Sequence, residues 1–474
     1  MIKLKEIISQ LDATAYTDLE QQLIKTKADN FLYLSQSYRK GNVKDEDIIN
    51  HLNLNSNSFY VLKSRLYSKI KKHISDDIDL NKEDVLNNLR QIHEVCYNQP
   101  REIASAFLEK LEEDLLSFDM HSELLMVYSA LKKVYLQSEN YFHYSQLYNK
   151  HVAFWLSLEK SEAILGNFNQ ILAEYEFSRS ALTLSKLSFL KQEILNHLNL
   201  NPSRQIEIIK NLADIQLFLF ANDLSEPDFD VEKALNDTAQ KIKELPDSAG
   251  QKKWQIALDH LYFEYYRTNG TSSRVKALHY YQKLNSQISS LLLFNNICLT
   301  PRFLTAKLHF LNEVGQINDI LNEDPAILSD PYDNYSKVML AFYNCMKLYY
   351  EGKTKEAISI LNEILNTLSF KDLFHINAEI KLTLSYFYIR QKEFDMADNH
   401  LKSIYRKIKS DEELSGYKNV LDLIKLFGSE MNSDPKDKDD PRKKDSFILF
   451  TARNTGKHAV LNHLLPELKK KFSA

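Results

Sequence analysis

The sequence predicts an all-α protein, and three observations carry that expectation. Among 474 residues there are only 9 glycines and 10 prolines, where average usage would give roughly three times as many glycines and twice as many prolines. Sheets need glycine at their tight turns, whereas helices joined by short polar turns need little. Hydrophobic residues make up 44% of the chain, enough for a sizeable core, and they recur at helical spacing. The third observation is where the punctuation falls. Pro100, the Asn199-Leu200-Asn201-Pro202 turn, Pro227, Pro246 and the Thr300-Pro301 step separate periodic stretches, which places helix pairs over 83–118, 121–159, 161–200, 203–245 and 249–291.

The first of these elements in chain order is N-terminal. Residues 45–72 contain a short segment with Ile48, Ile49 and Leu52, a turn with Leu54, and a longer segment with Phe59, Leu62, Leu66 and Ile70. The 3-4-4 spacing of the last four makes one apolar stripe on a helix. Asn53 stands where such a turn favours glycine, because asparagine tolerates the left-handed conformation. Ser56 is the expected cap of the second helix. The stretch resembles the helix-turn-helix of bacterial sigma-factor region 4 and of LuxR-type regulators. That resemblance implies a DNA-facing surface opposite the apolar stripe: Asn57, Ser64, Arg65, Ser68, Lys69, Lys71 and Lys72. Short polar groups there would meet base edges and cations would meet phosphates. The acids Asp45, Glu46, Asp47, Asp76, Asp77 and Asp79 flank this helix and oppose a polyanion.

In the middle of the chain, Tyr128, Tyr135, Tyr141, Tyr144 and Tyr148 lie where paired helices bury aromatics. Further on, the unit from Tyr335 to Leu368 has a small residue, Cys345, before a turn at Gly352. A second small residue, Ala357, then precedes Leu361 and Ile364. Ser385, Tyr388, Phe394, Ala397, Leu401 and Ile404 repeat the pattern, with Lys392 in place of the turn glycine. The anchors Ala277, Ile320, Ala357 and Ala397 recur at intervals of roughly 40 residues, longer than the ~34 of a tetratricopeptide repeat. The pattern is similar to that of the tetratricopeptide family in a degenerate form. The resemblance implies a right-handed superhelical stack of antiparallel helix pairs, with the first helix of each pair lining a concave face. Carried onto the two clearest units, the family's groove positions are Met339, Phe342, Met346, Tyr349 and Tyr350, then Leu382, Tyr386, Ile389 and Arg390. Methionine and tyrosine suit an extended peptide or a partner helix.

The expected organisation is therefore a helical bundle over 1–80, helical repeats over 81–431, a charged linker over 432–446 and an apolar segment over 447–474. The linker, NSDPKDKDDPRKKD, has no apolar residue through 445. Beyond it come Phe447-Ile448-Leu449-Phe450 and a helix expected over 456–472, with Val460, Leu461, Leu464, Leu465 and Leu468 on one side. An apolar element after a flexible linker is expected to dock on its own solenoid, or else to be recognised by another molecule.

Several function classes lose support. The formal net charge is −4, so the molecule as a whole is no trap for nucleic acid. No HExxH, GxSxG or Walker loop is present, and Thr455-Gly456-Lys457-His458 lacks the rest of a phosphate loop. His458 and His463 are five apart, so on one helix they would point to different sides. Glu112-Glu113 and Glu412-Glu413 read as solvated faces. Cys96, Cys298 and Cys345 read as reduced, buried thiols. No run approaches the ~20 apolar residues of a membrane span. The expectation is a non-enzymatic cytoplasmic scaffold that binds protein or peptide and needs no metal or cofactor, in a chain whose Lys, Asn, Ile and Tyr usage looks bacterial. The alternative is a DNA-binding regulator in which the repeats sense a peptide or mediate dimerisation.

Overall fold

The computed structural model describes residues 4–5, 8, 13–40, 43–76, 80–99, 101–118, 120–221, 229–245, 249–269, 273–287, 299–321, 334–432 and 441–472. Among them there are helices and no strands. The chain divides into two compact units, Met1–Trp155 and Leu156–Ala474, whereas the sequence drew its first boundary at residue 80.

The first unit begins with α1 (Ala13–Lys25), α2 (Asp29–Lys40), α3 (Asp45–His51) and α4 (Ser56–Asp76). Their core holds Leu4, Ile8, Leu19, Leu23, Leu34, Tyr38, Ile48, Phe59, Leu66 and Ile70, all buried. Phe59, Leu66 and Ile70 belong to the predicted apolar stripe, and Leu62 is half-buried beside them. Asn53 has φ 50°, the left-handed turn expected of it. The cap is displaced by one residue: Asn55, not Ser56, accepts the backbone N–H of Ser58 at 2.7 Å. Asp45 ties three helices together by accepting from Tyr38 of α2 (2.7 Å) and pairing with Lys63 of α4 (3.0 Å).

The same unit continues through α5 (Leu80–Asn98), α6 (Arg101–Ser117) and α7 (His121–Val134). Here Tyr128 and Tyr144 are buried and Tyr135 and Tyr148 lie against them. Glu112 is no solvated residue. It accepts the Tyr128 hydroxyl at 2.9 Å, and its burial raises its pKa. A helix face bearing tyrosines on its neighbour draws in the carboxylates that their hydroxyls need.

The boundary between the units falls within α8 (Asn140–Ser178), a single helix of 39 residues. The helix joint expected near residue 160 is absent. Nothing there breaks a helix, since Ser161 hydrogen-bonds back to the Ser157 carbonyl at 2.7 Å and both residues are buried. Serine in that role stays within the helix.

The second unit then runs through α9 (Ala181–Leu200), α10 (Arg204–Phe220), α11 (Val231–Lys243), α12 (Ala249–Thr268), α13 (Arg274–Ser286), α14 (Leu299–Val314) and α15 (Ile317–Leu321). It continues with α16 (Asn334–Tyr350), α17 (Thr354–Thr367), α18 (Phe374–Gln391), α19 (Phe394–Ser410) and α20 (Lys418–Asn432). Ser180, Ser203 and Asp230 accept backbone N–H groups at the starts of α9, α10 and α11, satisfying donors that a helix leaves open. From α9 to α20, helices meet chiefly those one or two elements away along the chain. The four anchors Ala277, Ile320, Ala357 and Ala397 are all 0% exposed. Ser385 of α18 lies 3.4 Å from the Ala397 carbonyl of α19, so the small residues let two backbones approach.

The turns before α15, α17 and α19 carry positive φ at Gly315, Gly352 and Lys392. Lys392, at φ 63°, adopts the conformation that a glycine would take without steric cost. Replacing it with glycine is expected to stabilise the unit by about 1 kcal/mol, because the left-handed penalty of an L-residue disappears. Urea unfolding of Lys392→Gly reads this directly, and a loss of stability would contradict the strain argument.

Cys345 is buried, and its thiol pKa is raised by burial; Cys96 is half-buried. Cys298 lies outside the described residues. No helix among those described is long and apolar enough to cross a membrane.

Candidate peptide-binding site

The chain after α20 does not follow its sequence reading. Part of the expected linker is helical: α21 (Pro441–Arg453) includes Phe447–Phe450 and begins within it, while residues 433–440 lie outside the described set. Lys443 of α21 reaches Glu430 at 2.9 Å, and Arg453 reaches Asp422 at 2.7 Å. The helix expected over 456–472 is also shorter. A 3-10 turn spans Gly456–His458, residues 459–464 are not helical, and only Leu465–Phe472 forms α22.

The cause is a set of side chains that grip the backbone in between. Asn454 accepts the Val460 N–H (2.8 Å) and donates to the Val460 carbonyl (2.9 Å). Asn419 donates to the His458 carbonyl at 2.7 Å. Leu461, at φ 55°, points its N–H at both carboxylate oxygens of Glu379, each 3.0 Å away. Asn312 donates to the His463 carbonyl at 3.2 Å. Thr383 donates to the Glu379 carbonyl (2.8 Å) and lies 3.0 Å from His463 Nε2. Having spent its proton on the carbonyl, the hydroxyl assigns the His463 proton to Nε2. Around these bonds Val460, Leu461, Leu464 and Leu468 are 0% exposed. Lys471 closes the segment with an ion pair of 2.6 Å to Glu430.

This segment lies beside part of the predicted groove. The Phe342 ring is 5.1 Å from His463. Tyr349 and Tyr386 meet hydroxyl to hydroxyl at 3.3 Å, and burial, with a smaller contribution from the Glu467 charge, raises the pKa of Tyr350 and Tyr386. Met339 accepts from Thr305. Met346, Leu382, Tyr386 and Ile389 are buried and Arg390 is exposed. The sequence reading missed Glu379, Asn312 and Thr383, which hold the tail's backbone. One signal existed: Glu379 is the lone acid in the otherwise apolar and polar FHINAEIKLTLSYFYIRQ of α18, and a buried acid is rare without a partner.

The site titrates in two directions. Burial raises the Glu379 carboxyl from 4.5 to about 7, with the Leu461 N–H and Arg179 opposing the rise. Because the folded value is raised, its contribution is full below pH 4.5 and is lost as pH climbs through 7. Burial lowers His463 from 6.5 to about 3, so its contribution is full above pH 6.5 and is lost as pH falls toward 3. Glu379→Gln is expected to remove the decline between pH 4.5 and 7 and leave the acid limb. Tm measured from pH 4 to pH 8 checks this, and an unchanged profile would remove Glu379 as the titrating group.

Beneath the segment is a cavity of about 1450 Å³. On its floor Arg302 pairs with Glu176 at 3.3 Å and lies 5.0 Å from the Phe220 ring, while Tyr335 donates to the same carboxylate at 2.5 Å. Arg267 meets Glu264 at 2.6 Å.

In the first unit, the proposed DNA-facing side chains Asn57, Ser64, Arg65, Ser68 and Lys69 are exposed. Lys69 leans over the Phe31 ring at 5.3 Å. The side chains of Lys71 and Lys72 lie outside the described set. Among the described residues no group of three or more His, Cys, Asp or Glu is placed to hold a metal ion.

Comparison of the chain with protein-family models, curated proteins and solved structures returns no match.

Proposed function

We propose that this is a peptide-binding helical-repeat protein, a cytoplasmic interaction scaffold of tetratricopeptide-like architecture whose helix pairs stack in a right-handed superhelix. Its groove is filled by its own C-terminal segment. One observation carries the reading: residues 456–472 lie against α14, α16 and α18, with their main chain held by Glu379 and Asn312. Side chains that bond a ligand's backbone, beside pockets that bury its apolar side chains, are how peptide receptors work. A partner of the same chemistry, apolar at the positions of Val460, Leu461, Leu464 and Leu468, fits the surface once the tail leaves.

The test uses the full chain carrying Leu461→Asp and Leu464→Asp, titrated with a labelled synthetic peptide of residues 456–472. The variant is expected to bind the peptide saturably. Wild type is expected to exclude it, because a tethered competitor acts at an effective concentration on the order of mM. No binding to the released variant would sink the reading.

A second reading rests on the exposed face of α4, with Asn53 in the left-handed turn that precedes it. On that reading the first unit binds DNA. Fluorescence anisotropy with duplex DNA, in wild type and in Arg65→Glu/Lys69→Glu, is expected to show affinity that falls steeply with salt and vanishes in the variant. Failure to bind at low salt would make α1–α4 architectural.

A further inference from the structure

Helix α9 is apolar on two faces, and only one of them is buried in the fold. Thr183, Leu187, Leu190 and Ile194 are buried, and α10 is a packing neighbour of this helix. A second face carries Leu182, Phe189 and Leu200, which are 67%, 63% and 74% exposed. At 3.6 residues per turn the three fall within about 20° of one line along the helix. Single exposed apolar residues are ordinary, whereas an aligned set on one helix marks a contact surface. Beside the line lies a groove of about 470 Å³ between α8 and α9, bounded by Ile171 on one side and by Leu182, Phe189 and Leu190 on the other. Two opposite charges share the same stripe. Lys186 and Glu193 stand within about 40° of the line and border the groove. Neither has an ion-pair partner among the described residues.

We propose that this face binds the same face of a second copy of the chain, with the two α9 helices antiparallel about a twofold axis between Phe189 and Leu190. Positions 186 and 193 lie equally far from that axis, so each Lys186 meets the partner's Glu193, one ion pair on either side. Leu182 and Leu200 differ in their distance from it by three residues, about 4.5 Å at the helical rise. Each Leu182 therefore reaches the partner's Leu200. The two Phe189 rings meet at the centre, where each covers the other copy's groove. One register thus serves the aromatic, charged and aliphatic positions together, which is the self-complementarity a twofold interface requires. A parallel pairing is disfavoured by charge, because it sets lysine against lysine and glutamate against glutamate. The aromatic centre supplies most of the energy, while the exposed ion pairs set orientation more than affinity. A contact of one helix from each copy is small, so association is reversible and depends on concentration. The inference rests on nothing in the tail or its groove.

The experiment is sedimentation equilibrium of the full chain from about 1 to 200 μM. The apparent mass should rise with concentration from that of one chain toward that of two. Phe189→Glu should remain monomeric throughout. Lys186→Glu, and separately Glu193→Lys, set like charges face to face and should weaken association by about tenfold or more. The double variant Lys186→Glu/Glu193→Lys restores both pairs with their signs exchanged and should return to wild-type association. These variants change exposed or half-buried side chains, and circular dichroism should show their helical content unchanged. Rescue by the double variant is specific to an antiparallel pairing of identical faces. A monomer at every concentration overturns the proposal, whatever else covers the face. So does a dimer that Phe189→Glu leaves intact, or one in which the double variant associates no better than either single reversal.

Discussion

Arg302→Met is expected to destabilise the second unit by about 3–5 kcal/mol, the cost of removing one partner from a buried ion pair. Arg302 is 3% exposed and its partner Glu176 16%, so water screens neither well. Methionine fills the space over the Phe220 ring, yet it leaves the Glu176 carboxylate with the Tyr335 hydroxyl as its remaining donor among the contacts described above. The double variant Arg302→Met/Glu176→Gln should regain most of the loss, since a neutral amide in place of the orphaned charge removes the main penalty. Urea unfolding followed by circular dichroism measures both. A cost below about 1 kcal/mol for the single variant would place the pair among solvent-screened surface contacts.

The second large effect belongs to the tail. Leu461 and Leu464 are each 0% exposed, and burying a leucine side chain is worth about 2–3 kcal/mol. Replacing both with aspartate removes about 4–6 kcal/mol of favourable burial and asks two carboxylates to desolvate. The other anchors, from Asn454, Asn419, Glu379, Asn312 and the Lys471–Glu430 pair, all hold this one segment, so local release is expected in place of global unfolding. In hydrogen exchange, the Leu461 amide, now held by Glu379, should lose protection by about a thousandfold or more in the variant, since each 1.4 kcal/mol is a factor of ten. Amides in α16 and α18 should keep theirs. Retained protection at 461 would show that Glu379 holds the tail without help from the leucines.

The local pattern of this chain is legible in its sequence. Scarce glycine and 3-4-4 apolar spacing are properties of short stretches, and they suffice to specify helices. Asn53, Gly315, Gly352 and Lys392 mark turns because a left-handed residue is a local requirement, and all four have positive φ. Ala277, Ala357 and Ala397 announced close helix contacts because only a small side chain lets backbones approach. Three features were not legible. The uninterrupted α8 past residue 160 depends on a serine that bonds inside its own helix, and the same serine is compatible with a helix end. The half-buried positions of Glu112 and Glu379 depend on donors 16 and 82 residues away, which no local spacing encodes. The tail is the clearest case. Val460 to Leu468 has the apolar spacing of a helix, but Asn454, Glu379 and Asn312 bond its backbone and hold residues 459–464 out of one. Helical propensity amounts to a few tenths of a kcal/mol per residue, whereas a hydrogen bond to a charged group contributes about 1.5–3 kcal/mol. Periodicity therefore decided which segments are helices where nothing competes, and distant side chains decided the one segment on which the proposed function turns.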